Sequence, residues 1–441
     1  MTSSWQKVTL AELIQIKHGY AFSGEFFSDS GPGDVLMTPG NFAIGGGFQW
    51  GKRKYYNGPV APEYVLHPGD LVVTMTDLSK EADTLGYSAI VPTSPEKLLH
   101  NQRVGKVLKQ SNAVALKYLH WLMRSTDYRN EVLATVTGST VKHTSPSKIL
   151  GYKFLLPPLG EQQSIASVLD SLSNKIELNQ QMNETLEAMA RAVFKDWFVD
   201  FGPTRSKAEG RPPYLAADLW SLFPDRLDDE GKPEGWAMQT LGDIFNIGIG
   251  RTPPRNEAVH FVPIGAGHTW LSIKNMGGLN IWACRSDENL ARQTVKRLNI
   301  PVVPENTVVV SFKLTVGRVA ITSHPMCTNE AIAHLVRPEA SPFGPFYTYL
   351  YMANYDYGQL GSTSSIATAV NSKSIKSIKF LNPGKACLNA FEDMVTPIFL
   401  KIRTNLMETG TLAATRDLLL PKLMSGEIRV QDAEKALAAM A

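Results

Sequence analysis

The stretch YKFLLPPLGEQQSIASVLDSL, residues 152–172, passes from a short apolar strand pattern through two prolines into a helical pattern. A proline has no N–H to give a sheet ladder, so it ends a strand, and it is at ease in the first turn of a helix. The stretch IKFLNPGKACLNAFEDMVTPI, residues 378–398, repeats the junction. Lys153-Phe154-Leu155 returns as Lys379-Phe380-Leu381, 226 positions on, with a proline two residues beyond each. One junction used twice marks a chain built twice.

The likeness extends outward from that junction. WQKVTLAELIQIKHGYAF, from Trp5, aligns with WAMQTLGDIFNIGIGRTPP, from Trp236, so that Thr9-Leu10, Ile16 and Gly19 meet Thr240-Leu241, Ile247 and Gly250. HPGDLVVTMT at His67 resembles VPENTVVVSF at Val303, each a turn before a β-branched run typical of a buried strand. HNQRVGKV at His100 sits where CTNEAIAHL sits in the second copy, and TGSTV at Thr137 corresponds to LGSTS at Leu360. All these matches fall in order, with offsets drifting only between 223 and 236. That is a duplication.

Each copy has a strand-rich part, 1–157 or 236–383, then a helical part, 158–201 or 384–427. In the first helical part Ile165, Leu169, Leu172, Ile176, Asn179, Asn183, Leu186, Ala190, Val193 and Trp197 alternate at steps of about three and four, the seam of a coiled coil. A shift of 226 lands on Phe391, Val395, Ile398, Ile402, Asn405, Thr409, Leu412, Arg416, Leu419 and Leu423. The two helices are expected to pack on each other, antiparallel if a pseudo-twofold axis relates the copies. Asn179 and Asn405 would then bond across the seam and fix its register; the alternative is two solvated amides. Pro397 is comfortable at a first helical position, so within 384–427 the second long helix is expected either to kink at Pro397 or to begin there, after a separate turn. The Pro/Gly-rich segment 202–235 reads as a linker, and 428–441 as a C-terminal tail.

A chain of 441 residues, 43% hydrophobic and 19% charged, belongs with multidomain globular proteins. It has no apolar run near the ~18 residues of a membrane span and no signal-peptide pattern at its start, so a cytoplasmic protein is expected. Cys284, Cys327 and Cys387 form neither a disulfide framework nor a metal pair. The net charge of +3 conceals an alternation. Residues 1–157 carry 16 Lys/Arg against 12 Asp/Glu and 236–383 carry 13 against 8, while 158–235 carry 8 against 14 and 384–441 are balanced at 7 each. Two basic blocks suit two separate anionic contacts.

FLLPPLGEQQSIASVLD, the helix end FKDWFVDFGPTRSKAEG, the re-entry LFPD…GKPEGW and the closing LLLPKLMSGEIRV together resemble the specificity subunit of Type I restriction-modification systems, over nearly the whole chain. The resemblance implies an α+β fold: two β-rich target recognition domains, 1–157 and 236–383, separated by two long antiparallel coiled-coil helices. It implies that each domain reads half of a split, asymmetric site on double-stranded DNA. The helices would serve as spacer and as docking surface for two methyltransferase subunits, with restriction subunits outside. S-adenosylmethionine, ATP and magnesium would belong to those partners, and none to this chain. The second junction departs from the pattern in lacking the Pro-Pro…Glu-Gln of the first.

No catalytic motif stands out. The chain lacks the P-loop, nucleophile-elbow and zinc-protease patterns, and its nine histidines show no ligand spacing. NIGIGRT, 246–252, has no third glycine opening a helix. RPPYL at Arg211 imitates the Asp/Asn-Pro-Pro-Tyr of amino-methyltransferases, but a guanidinium cannot accept a hydrogen bond from the target amine. It reads as a stiffened loop.

Contact with DNA requires cations and hydroxyls near phosphates, and Arg, Asn, Gln or small hydroxyls near base edges. Polar loops at matching places are the candidates. In the first copy these are Lys17, His18, Tyr20, Lys52, Arg53, Lys54, Tyr55, Asn101, Gln102, Arg103, Ser139, Thr140, Lys142 and His143. In the second they are Arg251, Thr252, Arg255, Lys274, Asn275, Lys313, Arg318, Asn329, Glu330, Ser362, Thr363 and Ser364. Solvated turns are the bland alternative for each. Arg103 and Arg251 are the preferred base readers, because bidentate Arg–guanine pairing is the commonest specific contact. For partner binding, Glu161, Gln162, Lys175, Glu177, Glu184 and Glu187 fall on outward helix faces, and Phe194, Trp197, Phe198 and Phe201 form an aromatic excess of the kind that marks interfaces. A protein-interaction scaffold that binds no DNA is the alternative reading of the whole.

Overall fold

The computed structural model describes residues 5–279, 281–360 and 372–438. Its contacts divide the chain into two units, Met1–Ile176 with Thr411–Ala441, and Glu177–Gly410. Each unit holds one β-rich domain and a length of both long helices, which run Leu159–Phe198 and Lys385–Ser425.

In the first unit Lys153–Leu156 is the last strand, and it pairs antiparallel with the first, Gln6–Thr9, in the register Thr9↔Lys153. Phe154 and Leu156 point inward while Lys153 and Leu155 are exposed. Pro157 then ends the ladder, and the long helix starts within two residues. The second unit closes in the same way: Lys379–Asn382 pairs with Ala237–Thr240 in the register Thr240↔Lys379. Here Asn382-Pro383-Gly384 stands where Leu156-Pro157-Pro158 stands in the first, so the second proline is replaced by glycine. The Asn382 side-chain oxygen accepts from the Gly384 N–H at 3.0 Å, and Gly384 turns the chain with φ +88, a conformation glycine adopts without Cβ strain. Different turn chemistry thus makes the same junction.

Between first and last strand each domain holds two larger sheets, and the first domain adds the two-stranded pair of Thr76–Asp77 with Lys142–His143. The first has an antiparallel sheet in the order Ile14–His18, Val104–Lys109, Leu71–Thr74, Ser88–Ile90. The second repeats that order with Asn246–Ile249, Ile332–Val336, Val308–Ser311 and Val319–Thr322, and adds Trp282–Ala283. Leu71–Thr74 and Val308–Ser311 are buried along their whole length, as their β-branched runs require. The other sheet contains one parallel pair in each domain, Asp34–Met37 beside Leu98–His100, and His268–Leu271 beside Cys327–Thr328.

Three expectations need correction. The second helix does not begin at Pro397: it runs unbroken from Lys385 to Ser425. Phe391, Val395, Phe399 and Ile402 on both sides of the proline are buried in one core, and that packing outweighs the missing N–H. Asn179 and Asn405 do not meet. Asn405 donates to Asn183 at 2.8 Å, and Asn179 donates to Glu408 at 2.8 Å, which makes the helices antiparallel as expected but staggered by one turn from the sequence-derived pairing. The shift of 226 aligns residues along the chain, whereas the stagger is set by how the side chains interlock. Finally, 202–235 is more than a connector. It contains helices Gly202–Ala208 and Ala217–Trp220, buries Phe223, and ties Tyr214 to Asp196 at 2.9 Å.

Residues 428–438 also contribute to the fold. Val430–Ala438 is helical, and Ala433 is buried with Leu419, Leu423, Ile165 and Leu169 in the first unit's core. Among the described residues no helix is long and apolar enough to cross a membrane.

Candidate nucleic-acid interface

Gly19 and Gly250, matched in sequence, occupy the same structural place. A Cβ on Gly19 would lie 2.2 Å from the Asn101 carbonyl oxygen, and one on Gly250 would lie 2.1 Å from that of Thr328. Only glycine permits this approach, which joins the end of a domain's second strand to its sheet-to-sheet hairpin, the turn from Leu98–His100 to Val104–Lys109 or from Cys327–Thr328 to Ile332–Val336. Tyr20 N–H then bonds His100 O at 2.8 Å and Gln102 N–H bonds Tyr20 O at 3.0 Å; Arg251 N–H bonds Thr328 O at 2.9 Å. The hairpin turns are matched too. Asn101 accepts from Arg103 N–H at 3.0 Å, and Asn329 accepts from Ala331 N–H at 3.2 Å. Both asparagines close side-chain turns, the blander of their two readings.

Next to the hairpin, Met75 N–H bonds Arg103 O and Thr144 N–H bonds Met75 O, at 2.9 and 3.1 Å. Lys142 and His143 pair with Asp77 and Thr76. One edge of the first domain therefore collects Tyr20, Gln102, Arg103, Lys142 and His143. His18 and the tip residues Ser139 and Thr140 are exposed as well. Tyr55 lies opposite Val35 antiparallel, and Leu98 opposite Val35 parallel. Residues 52–54 therefore run toward the sheet end from which Asn101 emerges. In the second domain Phe312 N–H bonds Ala331 O at 2.9 Å, the counterpart of the Met75–Arg103 bond. By that bond Ala331 stands where Arg103 stands, and by the glycine contact Arg251 stands where Tyr20 stands. The frame is duplicated; the residues presented on it are not.

Several candidate cations are already engaged. Lys17 pairs with Glu63 at 2.6 Å, Arg53 with Glu96 at 2.9 Å, Lys274 with Asp287 at 3.3 Å, and Arg255 with Glu288. Arg53 also lies over Trp50, and Lys54 over Phe27 at 4.7 Å. Lys52 lies 3.6 Å from Asp29 with 82% of its side chain exposed, so it remains largely solvated. Arg318 donates to the Ile273 carbonyl at 2.8 Å, Arg251 donates to the Leu298 carbonyl, and the Thr252 hydroxyl bonds Glu330. Among the described residues no ion pair is recorded for Arg103 or Lys313, both exposed. Ser362, Thr363 and Ser364 lie outside the described residues.

The expected partner surface is largely interior. Gln162 is fully buried: its side chain accepts from Ala115 N–H at 2.9 Å and donates to the Ala113 and Pro157 carbonyls at 2.8 Å each. Glu161 accepts from the Trp5 indole at 3.1 Å. Phe194, Trp197 and Phe198 are buried with Phe223, Trp236, Tyr347 and Phe391, and Phe201 packs against that cluster. The aromatic excess at the helix end is the second unit's own core, as aromatic rings at that spacing usually are.

Two features escaped the sequence reading. Thr38–Asn41 and Ser272–Asn275 form matching capped turns: Asn41 Oδ1 accepts from Thr38 N–H at 2.8 Å and Asn275 Oδ1 from Ser272 N–H at 3.2 Å. The side-chain oxygen of Asn275, one of the DNA-contact candidates, is committed to this cap. A hydroxyl three residues before Asn, at an offset of 234, was the available signal. The helix Arg292–Arg297 exposes Arg292, Gln293, Lys296 and Arg297 directly before Leu298, the residue that holds Arg251. Its basic run RQTVKR was visible in the sequence. A depression of about 810 Å³ in this domain is lined by Lys274, Asn275, Arg285, Asp287 and Asn289 among others.

Each hairpin is tied at its root by a buried histidine. His100 Nε2 meets Val104 O at 2.9 Å, and His334 Nε2 meets Thr328 Oγ1 at 2.6 Å. Burial pushes both down to about 4, so both are neutral near neutral pH. Among the described residues no group of three His, Cys, Asp or Glu is placed to hold a metal ion.

The model for the Type I restriction modification DNA specificity domain matches residues 2–188 and again 233–385. The Type I restriction enzyme HindI specificity subunit of Haemophilus influenzae is 28% identical over 366 residues, covering 72% of this chain and 78% of that protein. The MjaIX specificity subunit of Methanocaldococcus jannaschii is 27% identical over 359 residues, covering 79% of this chain and 76% of that protein. The crystal structure of a Type I restriction-modification S subunit from M. genitalium has a similar fold, with TM-score 0.59 at 16% identity, covering 95% of this chain and 96% of that one.

Proposed function

The chain belongs to the Type I restriction-modification DNA specificity family, and from that premise we propose that its two domains read the two halves of a split, asymmetric DNA site. The observation that supports this most is the pairing of a duplicated frame with different residues: Tyr20 against Arg251, and Arg103 against Ala331, at equivalent hydrogen-bonded positions. Two identical readers would select a symmetric site. Two different readers on one scaffold select unlike halves.

In the first domain Arg103 and Gln102 serve as base-edge readers, and Lys142, His143 and Lys52 as phosphate contacts. In the second, Arg251 serves as the base-edge reader, and the 292–297 helix and Lys313 take the phosphate-facing role. The long helices set the spacing of the halves and offer their solvent faces to methyltransferase subunits, with restriction subunits beyond. S-adenosylmethionine, ATP and magnesium act on those partners, and the chain contributes specificity rather than chemistry.

Salt titration of DNA binding by the chain assembled with its methyltransferase subunits tests this. Neutralised phosphates release counterions, so log affinity should fall linearly with log salt, by about 0.9 per phosphate contacted. A protein-interaction scaffold would show no specific DNA binding at any salt.

A further inference from the structure

Leu314 is 93% exposed, the most exposed large apolar side chain among the described residues, and Leu78 is 64% exposed. They occupy corresponding places. Leu78 follows the strand Leu71–Thr74 and comes three residues after Met75, whose N–H is bonded to the first hairpin at Arg103 O. Leu314 follows the equivalent strand Val308–Ser311 and comes two residues after Phe312, whose N–H is bonded to the second hairpin at Ala331 O. In both domains a leucine therefore stands in water beside the hairpin.

Neither loop is loose at its base. The buried Asp77 carboxylate accepts from the N–H groups of Ser79 and Thr84 and from the Thr84 hydroxyl, each at 2.6 Å. Burial pushes that carboxyl up, but the hydrogen bonds outweigh it and hold it below the usual range, so it stays ionised. The other loop is fixed by Ser311, fully buried, which donates to Thr315 O at 2.5 Å and accepts from Arg318 N–H at 3.0 Å. Leu314 itself has φ +62, the left-handed region that a branched side chain rarely adopts. Two different polar frames deliver the same residue type to an exposed site two or three residues past the hairpin bond. Cations flank both: Lys80 and Lys313 are exposed, and Arg103 and Lys142 lie on the edge that carries Leu78.

We infer that Leu78 and Leu314 are apolar wedges with which each domain enters a groove of its half-site, pressing on base edges between phosphate-bound cations. Apolar side chains set among Lys and Arg are the general means by which proteins part base steps or touch thymine methyls. Lys313 beside Leu314, and Lys80, Arg103 and Lys142 about Leu78, outnumbering the exposed Glu81 of its loop, favour a duplex over an apolar protein face. This inference rests on the DNA-reading role proposed above.

The test uses the chain assembled with its methyltransferase subunits and a duplex carrying the complex's own methylated motif. L78A and L314A should each weaken binding on the order of tenfold, the scale of losing one large apolar contact. The loss should vanish against duplexes already altered in the half-site that leucine serves. The slope of log affinity on log salt should stay unchanged, because a leucine releases no counterion, while K313A should lower that slope by about one. Wild-type affinity in both leucine variants would overturn the wedges and leave the DNA-reading role standing. Failure of the unmutated complex to prefer its motif would overturn that role, and the wedges with it.

Discussion

Arg103 illustrates what a single residue reveals. It lies at a hairpin turn closed by Asn101, is exposed, and has no counterpart in the second domain, where Ala331 holds its place. Arg103→Ala should therefore cost about 1–3 kcal/mol in binding and relax one base position in one half-site. Competition binding against single-base variants of both halves measures this, and an equal loss on every sequence would make Arg103 a phosphate contact. His100 sits beneath the same hairpin. Burial, the largest influence, outweighs the Val104 carbonyl; Lys106 and Lys17 push the same way and Asp70 opposes, leaving it at about 4. Unfolded, it titrates near 6.5. Between those values the unfolded chain holds a proton the folded one lacks, so stability is full above pH 6.5 and falls as pH drops toward 4. His120 and His334 are displaced in the same direction. Thermal melting across that window should show a shallower slope in His100→Asn than in the wild type. The hairpin was legible because polar turn residues recur at matched offsets. The quenching of Lys17, Arg53, Arg255 and Thr252 was not, since their acidic partners lie 46, 43, 33 and 78 residues away in sequence.

Among the elements, the long helices show where periodicity suffices and where it stops. The three-and-four spacing gave the seam, and Ile165, Leu169, Asn183, Ala190, Val395 and Ile402 are buried along it. The stagger was hidden, because a repeat offset says nothing about how knobs meet holes. Asn405 is fully buried and donates to Asn183, while its own oxygen has no partner among the described residues. Asn183→Ala would remove its one bond and should cost about 1–3 kcal/mol. The double change Asn183→Leu with Asn405→Leu should cost less than that single one, because no buried amide is then left unpaired. Urea unfolding of the three proteins decides it, and a double variant weaker than the single would show that the amides do more than occupy the seam. Periodicity also could not separate core from surface at the helix end. Phe194, Trp197 and Phe198 satisfy either reading until Tyr347 and Phe391 are placed against them.

For the whole molecule, the duplication was readable from the recurring Lys-Phe-Leu, but the division of the chain was not. The first unit joins residues from the start of the sequence to Thr411–Ala441, and Leu423, 1% exposed, packs with Leu169 and Leu172 in its core. Leu423→Ala should cost about 2–5 kcal/mol. Hydrogen exchange should show the loss within 5–176 and not within 177–410; the opposite pattern would contradict the division.

Two unlike readers on a duplicated frame must leave a methylated motif with two unlike halves. Genome-wide mapping of methylated bases by long-read sequencing, in cells with the chain, without it, and with Arg103→Ala, tests it directly. The expected result is a motif split into two unlike halves that disappears on deletion and loosens in one half with the substitution. Methylation unchanged by deletion, or a motif with two identical halves, would contradict it.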